Sequence, residues 1–174
     1  MKNKWIVVFG FLFVFGIIAP VFGQEANFAY LDHLLVYKTG KYFYVNRWQH
    51  DQYTGPFSDK NGRMYTYGIG MFSDNSYESG LGYAEYLING AYSRFDATLA
   101  LEKKWIDGDY GTTRFIIYAD GIEIYNKRFI SSSEPEDISI VIPRNANLLR
   151  IEVEQIRGPR GTHGAIWGLA ILKK

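Results

Sequence analysis

Two stretches of the chain concentrate side chains that can do chemistry. Arg47-Trp48-Gln49-His50-Asp51-Gln52-Tyr53 sets a tryptophan and a tyrosine among amide, imidazole and charged groups. A sugar presents one apolar C–H face and a rim of hydroxyls, so a site for it wants an aromatic platform beside planar polar side chains. Arg47, Trp48, His50 and Tyr53 meet that description. The competing reading turns Trp48 and Tyr53 inward as a plug at the end of a β-sandwich. Arg157-Gly158-Pro159-Arg160-Gly161-Thr162-His163-Gly164 is the second stretch, glycine-rich, with guanidinium groups able to grip hydroxyls or a carboxylate in bidentate fashion. Arg160 and His163 are its candidates, against the reading of a solvated turn.

Other chemistries find less. Asp107 and Asp109, in Asp107-Gly108-Asp109, offer oxygen ligands of the kind calcium takes, without the register of an EF-hand; a plain polar turn is the competing reading. His33, His50 and His163 stand far apart, with nothing at ligand spacing around them. The sequence contains no glycine-rich phosphate loop, no Gly-x-Ser-x-Gly elbow and no His-x-x-x-His pair. Carboxylates are plentiful, but a glycosidase pair is defined by its separation in space. No catalytic residue is therefore expected, and no cofactor is required beyond calcium as a structural ion.

Composition narrows the class further. The chain has 174 residues, 47% apolar and 17% aromatic, with no cysteine. That length suits one domain with a core of its own. Nineteen Lys+Arg against 18 Asp+Glu leave no basic surface of the kind that nucleic acid selects. Absence of cysteine excludes disulfides, thiolate metal sites and a cysteine nucleophile.

The N-terminus reads as an export signal. Lys2 and Lys4 precede an apolar run from Trp5 to Ile18, then Pro20 and Val21-Phe22-Gly23. This order predicts a secretory signal peptide over residues 1–23, with Ala26 as the alternative cleavage point and a retained membrane anchor as the competing reading. The mature domain, residues 24–174, is then expected outside the cell and free of the membrane, and a cysteine-free exported chain suits a bacterial source.

Along that domain the apolar period is two. Phe95 to Leu101 and Leu148 to Glu154 alternate cleanly, and Ala165 to Leu172 reads as a largely buried strand containing Trp167. Asp120-Gly121 between Arg114–Tyr118 and Ile122–Tyr125 is a strong hairpin signal, and Ile138–Ile142 stops at Pro143. Lys41–Val45, Met64–Phe72 and Tyr86–Ile88 are further strands, the last ending at Asn89-Gly90. Asn46 to Arg63 reads as a long polar, aromatic loop. An all-β fold follows, an antiparallel β-sandwich with long loops at one end.

The order of these motifs resembles the NPCBM family, related to family 51 of the carbohydrate-binding modules. Tyr30-Leu31-Asp32 matches the family's opening, and Tyr67-Gly68-Ile69-Gly70-Met71 then Gly90-Ala91-Tyr92-Ser93-Arg94-Phe95-Asp96-Ala97 follow in its order. Phe115 to Gly121 and Ala165-Ile166-Trp167-Gly168-Leu169-Ala170 complete the likeness, which covers the mature chain. The resemblance implies a jelly-roll sandwich that binds glycans, often galactose-containing, sometimes with a structural calcium, and usually beside a glycoside hydrolase. This chain departs from the pattern. It is expected to stand without a hydrolase domain, it has Phe72 and a longer loop where the family commonly has histidine, and it has His163-Gly164 where an Asp-His is frequent.

The leading expectation is a secreted, non-catalytic protein that binds a galactose-containing glycan or a cell-wall polysaccharide. The alternative is a secreted structural or interaction module that kept the sandwich and lost the sugar site. A small secreted enzyme on a β-sandwich is the third reading.

Overall fold

The computed structural model describes residues 27–50, 53–72, 82–102, 112–157 and 164–174. The expected signal peptide and its cleavage point lie outside them, as do Asp107, Asp109, Arg160 and His163.

Fourteen strands make up the described residues: β1 (Phe28–Tyr30), β2 (Lys38–Thr39), β3 (Phe43–Val45), β4 (Arg47–His50), β5 (Tyr53–Ser58), β6 (Met64–Tyr65), β7 (Gly68–Met71), β8 (Gly82–Leu87), β9 (Arg94–Leu101), β10 (Thr112–Ala119), β11 (Ile122–Ile130), β12 (Glu136–Val141), β13 (Leu148–Arg157) and β14 (Ala165–Lys173). A single 3-10 turn, Leu31–His33, follows β1. One sheet runs β12-β9-β14-β7-β3 and the other β11-β10-β13-β8-β2, with every pairing antiparallel. β14 pairs β9 on one side; its other side is shared by β7, from Ala165 to Gly168, and β1, from Ile171 to Lys173. The four strands β7-β14-β9-β12 facing β8-β13-β10-β11 are the two sheets of a jelly roll. The fold class expected from the sequence is the fold observed.

Period-two alternation explains which face packs. Phe95, Ala97, Leu99 and Leu101 of β9 point inward and meet Phe115, Ile117, Leu149, Ile151 and Trp167 in the main core. The β10–β11 hairpin turns at Asp120-Gly121 with φ of +47° and +81°, the paired left-handed conformations of a type I′ turn. The Asp120 carboxylate then accepts the backbone N–H groups of Asn147 and Leu148 at 2.8–3.2 Å, fastening the turn to the start of β13.

The segment read as a loop, 46–63, is different in the structure. It forms β4 and β5, which with β6 make a three-stranded sheet in the order β4-β5-β6. This sheet is a third layer, packed on the outward face of the six-stranded sheet. Trp48, Phe57 and Tyr65 from the layer meet Phe72, Ala100 and Ile166 in a second core. Two glycines make that approach possible. A Cβ on Gly70 would lie 2.5 Å from Phe57 Cε1, and one on Gly168 would lie 2.2 Å from Tyr65 Cδ1.

Candidate functional site

Six strand ends gather at one end of the sandwich. The ends of β7, β9 and β13 and the starts of β8, β10 and β14 lie there, through the pairs Ala165↔Met71, Ala165↔Leu101, Thr112↔Arg157 and Val153↔Gly82. The β4–β5 hairpin reaches the same end, where the ring centroids of Trp48 and Phe72 are 4.6 Å apart.

A buried carboxylate ties this end together. Glu102, just past β9, accepts hydrogen bonds from Trp48 Nε1 at 2.7 Å, from Ser58 N at 2.9 Å and from Ser58 Oγ at 3.0 Å. Its own N–H donates to Gly164 O at 2.8 Å, and Gly164 leaves no room for a side chain because a Cβ there would lie 2.9 Å from the Trp48 ring. A carboxylate holding neutral donors in a buried place makes stronger bonds than a neutral acceptor would. Next to it Asp59, bridged to Glu102 between strands, accepts from Asn61 N, Arg63 N and the Tyr65 hydroxyl at 2.8–3.0 Å. Burial, and then that bond to Asp59, push the Tyr65 phenol well above its ordinary value. Both carboxylates hold structural donors, as fasteners do, rather than facing each other across a cleft as an acid–base pair would.

This geometry corrects one expectation. Trp48 is fully buried, with Phe57, Phe72 and Tyr44 against its ring and Glu102 on its nitrogen. No face of it is open for a sugar to stack on; for Trp48 the inward, plugging reading is the one observed. Arg47, its strand neighbour, points the other way and is exposed. His50 and Tyr53 face each other as the last cross-strand pair of the hairpin, and their side chains lie outside the described set. Gly164, the residue after His163 and just before β14, abuts Trp48, so the two stretches picked out by composition border one place in the fold.

Arg47 opens onto a cavity of about 300 Å³ lined also by Asn46, Pro56, Met64, Tyr65 and Thr66. Asn46 is held at φ +61°, with its Oδ1 accepting Gly68 N at 3.0 Å. Pro56 lies across from Arg47 in the hairpin, and Met64 is largely exposed. A guanidinium, a hydroxyl and an apolar wall together match a ligand with hydroxyls on its rim and C–H groups on its face. Among the described residues no group of three or more His, Cys, Asp or Glu could hold a metal ion.

Sequence reasoning missed Glu102, Ser58 and Asp59. The alternation of β9 does place Glu102 on the outward face with Asp96 and Thr98. Its burial depends on the third layer, which the sequence did not announce.

Residues 46–173 match the family described as NPCBM/NEW2 domain. No curated protein sequence matches the chain. Among solved structures, CBM51-2 in complex with GlcNAc and INT domains, from Clostridium perfringens ZmpB, superposes with TM-score 0.67 at 16% identity, over 84% of this chain and 31% of that one. The tandem CBM51 modules of the family 98 glycoside hydrolase from Streptococcus pneumoniae SP3-BS71 give TM-score 0.64 at 16% identity, over 84% and 47%. CBM51 from Clostridium perfringens GH95, in complex with methyl-galactose, gives TM-score 0.63 at 18% identity, over 84% and 99%. The chain thus spans 31% and 47% of the length of the first two. At these identities the likeness shows the fold.

Proposed function

This chain belongs to the NPCBM/NEW2 domain family, and on that footing we propose that it is a secreted, non-catalytic module that binds glycans at the loop end of the sandwich. The family and the carbohydrate-binding neighbours support a sugar-binding role. The observation that carries the location is the pairing of Arg47 outward and Trp48 inward on β4, with Arg47 opening onto the cavity that Asn46, Pro56 and Thr66 also line. Trp48, clamped by Glu102, fixes the strand, and Arg47 presents its donors to the cavity beside it. His50, Tyr53, Arg160 and His163 complete the proposed site, and Asp107 and Asp109 remain the proposed ligands of a structural calcium.

Galactose- and N-acetylglucosamine-containing glycans are the first ligands to try, because related modules were solved with methyl-galactose and GlcNAc. The test is an array of such glycans and cell-wall polysaccharides, read with the wild type and with Arg47→Ala. Saturable binding that weakens about tenfold in the variant, at an unchanged unfolding midpoint, is expected for a guanidinium bonded to ligand. Absence of binding to every glycan overturns the proposal. One observation favours the second reading, an interaction module without a sugar site. Phe72, where the resemblance leads one to expect histidine, is 4% exposed in the second core and offers no polar group there.

A further inference from the structure

The third layer covers part of the outward face of the six-stranded sheet. Under it lie Gly70, Ala100, Ile166 and Gly168; beyond its edge Asp137 and Ser139 of β12 are exposed and Asp96 of β9 is half-buried, with Thr98 buried beside them. The edge is Arg63, in the turn between β5 and β6. At this step lies a cavity of about 360 Å³ lined by Arg63, Asp96, Thr98, Asp137, Ser139 and Leu169 among others. That volume falls in the range of small-molecule sites.

Its polar groups are held in place. Thr98 Oγ1 donates to Asp137 Oδ1 at 2.6 Å, and Ser139 Oγ donates to Asp96 Oδ1 at 2.6 Å while accepting from Arg94 Nη1 at 2.9 Å. Lys173 pairs with the other Asp96 oxygen. Asp137 Oδ2 takes no hydrogen bond among the described residues. The Arg63 guanidinium lies over the Tyr65 ring, 5.1 Å from its centroid, and donates no hydrogen bond among them. Leu169 supplies an apolar wall at φ +49°, in the bulge where β14 slips its register against β9 between Gly168 and Ile171. A leucine pays to hold a left-handed backbone, and such strain gathers at binding sites.

We infer that this step is a second saccharide site, which takes one polyhydroxylated sugar unit by hydroxyl bonds to Asp137 and Arg63 and a C–H face on Leu169. The carboxylates repel an anion and the guanidinium repels a bare cation, whereas a neutral polyol uses both kinds of group. The site extends the glycan-binding reading to residues that reading does not use, so the two can fail separately.

The experiment is an amide-detected NMR titration of the protein with methyl-galactose and, separately, N-acetylglucosamine. The expected result is saturable shifts at the amides of Thr98, Ser139 and Leu169. Arg63→Ala, in an exposed turn, and Asp137→Asn, which keeps the acceptor for Thr98, each weaken them about tenfold, as loss of a charge-assisted bond would. Retained dispersion of the spectra shows that both variants fold. Shifts at the step without shifts around Arg47 uphold this site and count against the loop-end site. Shifts confined to the surroundings of Arg47, or no shift with either sugar, overturn the second site.

Discussion

At the scale of the residue, Trp48 and Glu102 form one unit. An indole N–H inside a core needs an acceptor, and a carboxylate inside a core needs donors; here each answers the other at 2.7 Å. Trp48→Ala is expected to cost about 3–5 kcal/mol in urea-unfolding measurements, since it empties the centre of the second core. Glu102→Gln keeps the shape and removes the charge, and is expected to cost about 1.5–3 kcal/mol in the same measurement. A result near zero for Trp48→Ala would contradict its burial. The amino-acid types alone could not tell this tryptophan from a ligand platform. Among Arg47, Gln49 and His50 it sits in the polar company that an exposed aromatic keeps. Trp167, by contrast, was legible as core because Ile166 and the alanines of β14 surround it with apolar neighbours.

At the scale of the element, the decisive feature is a sheet laid on a sheet. Gly168→Ala places a methyl carbon where Tyr65 now lies and is expected to cost about 1–3 kcal/mol. Near-ultraviolet circular dichroism of the aromatic side chains should weaken, and the far-ultraviolet strand signal should persist because the jelly roll does not depend on the third layer. Strands β9, β10, β13 and β14 were readable because they have a core on one side and alternate accordingly. β4 and β5 were not, and the cause is physical. Their apolar residues are sparse, Gly55 and Pro56 interrupt β5, and the surface they cover is the back of a sheet, flattened by Gly70 and Gly168. A glycine in a strand signals a bulge or a close approach without saying what approaches. The loop end was legible as a place, from the turn residues that bound each strand. Its fastening by Glu102 and Ser58 was not, because the partners lie 44 residues apart in the chain.

At the scale of the whole molecule, Asp96 links three neighbouring strands, through Ser139 on β12 and Lys173 on β14. Desolvation raises its pKa, but the hydrogen bonds from Lys173 and Ser139 outweigh it and hold the carboxyl below its ordinary value of 3.8. The sign follows: the stabilisation is complete above pH 3.8 and is lost as the pH falls through the lower, folded-state value. Asp96→Asn should therefore unfold at lower urea than the wild type near neutral pH, and the two midpoints should converge in strong acid. A constant gap across that range would show that Asp96 contributes no linkage. The strand order has a further consequence. Each of the two jelly-roll sheets ends on one side in a strand of two or three residues, β2 or β3, and on the other in β11, with Glu123, Lys127 and Arg128, or β12, with Glu136 and Asp137. Stubs this short give an incoming strand few bonds, and charges along the longer edges repel it. A domain built almost wholly of strands is thereby guarded against templated fibre growth at high concentration.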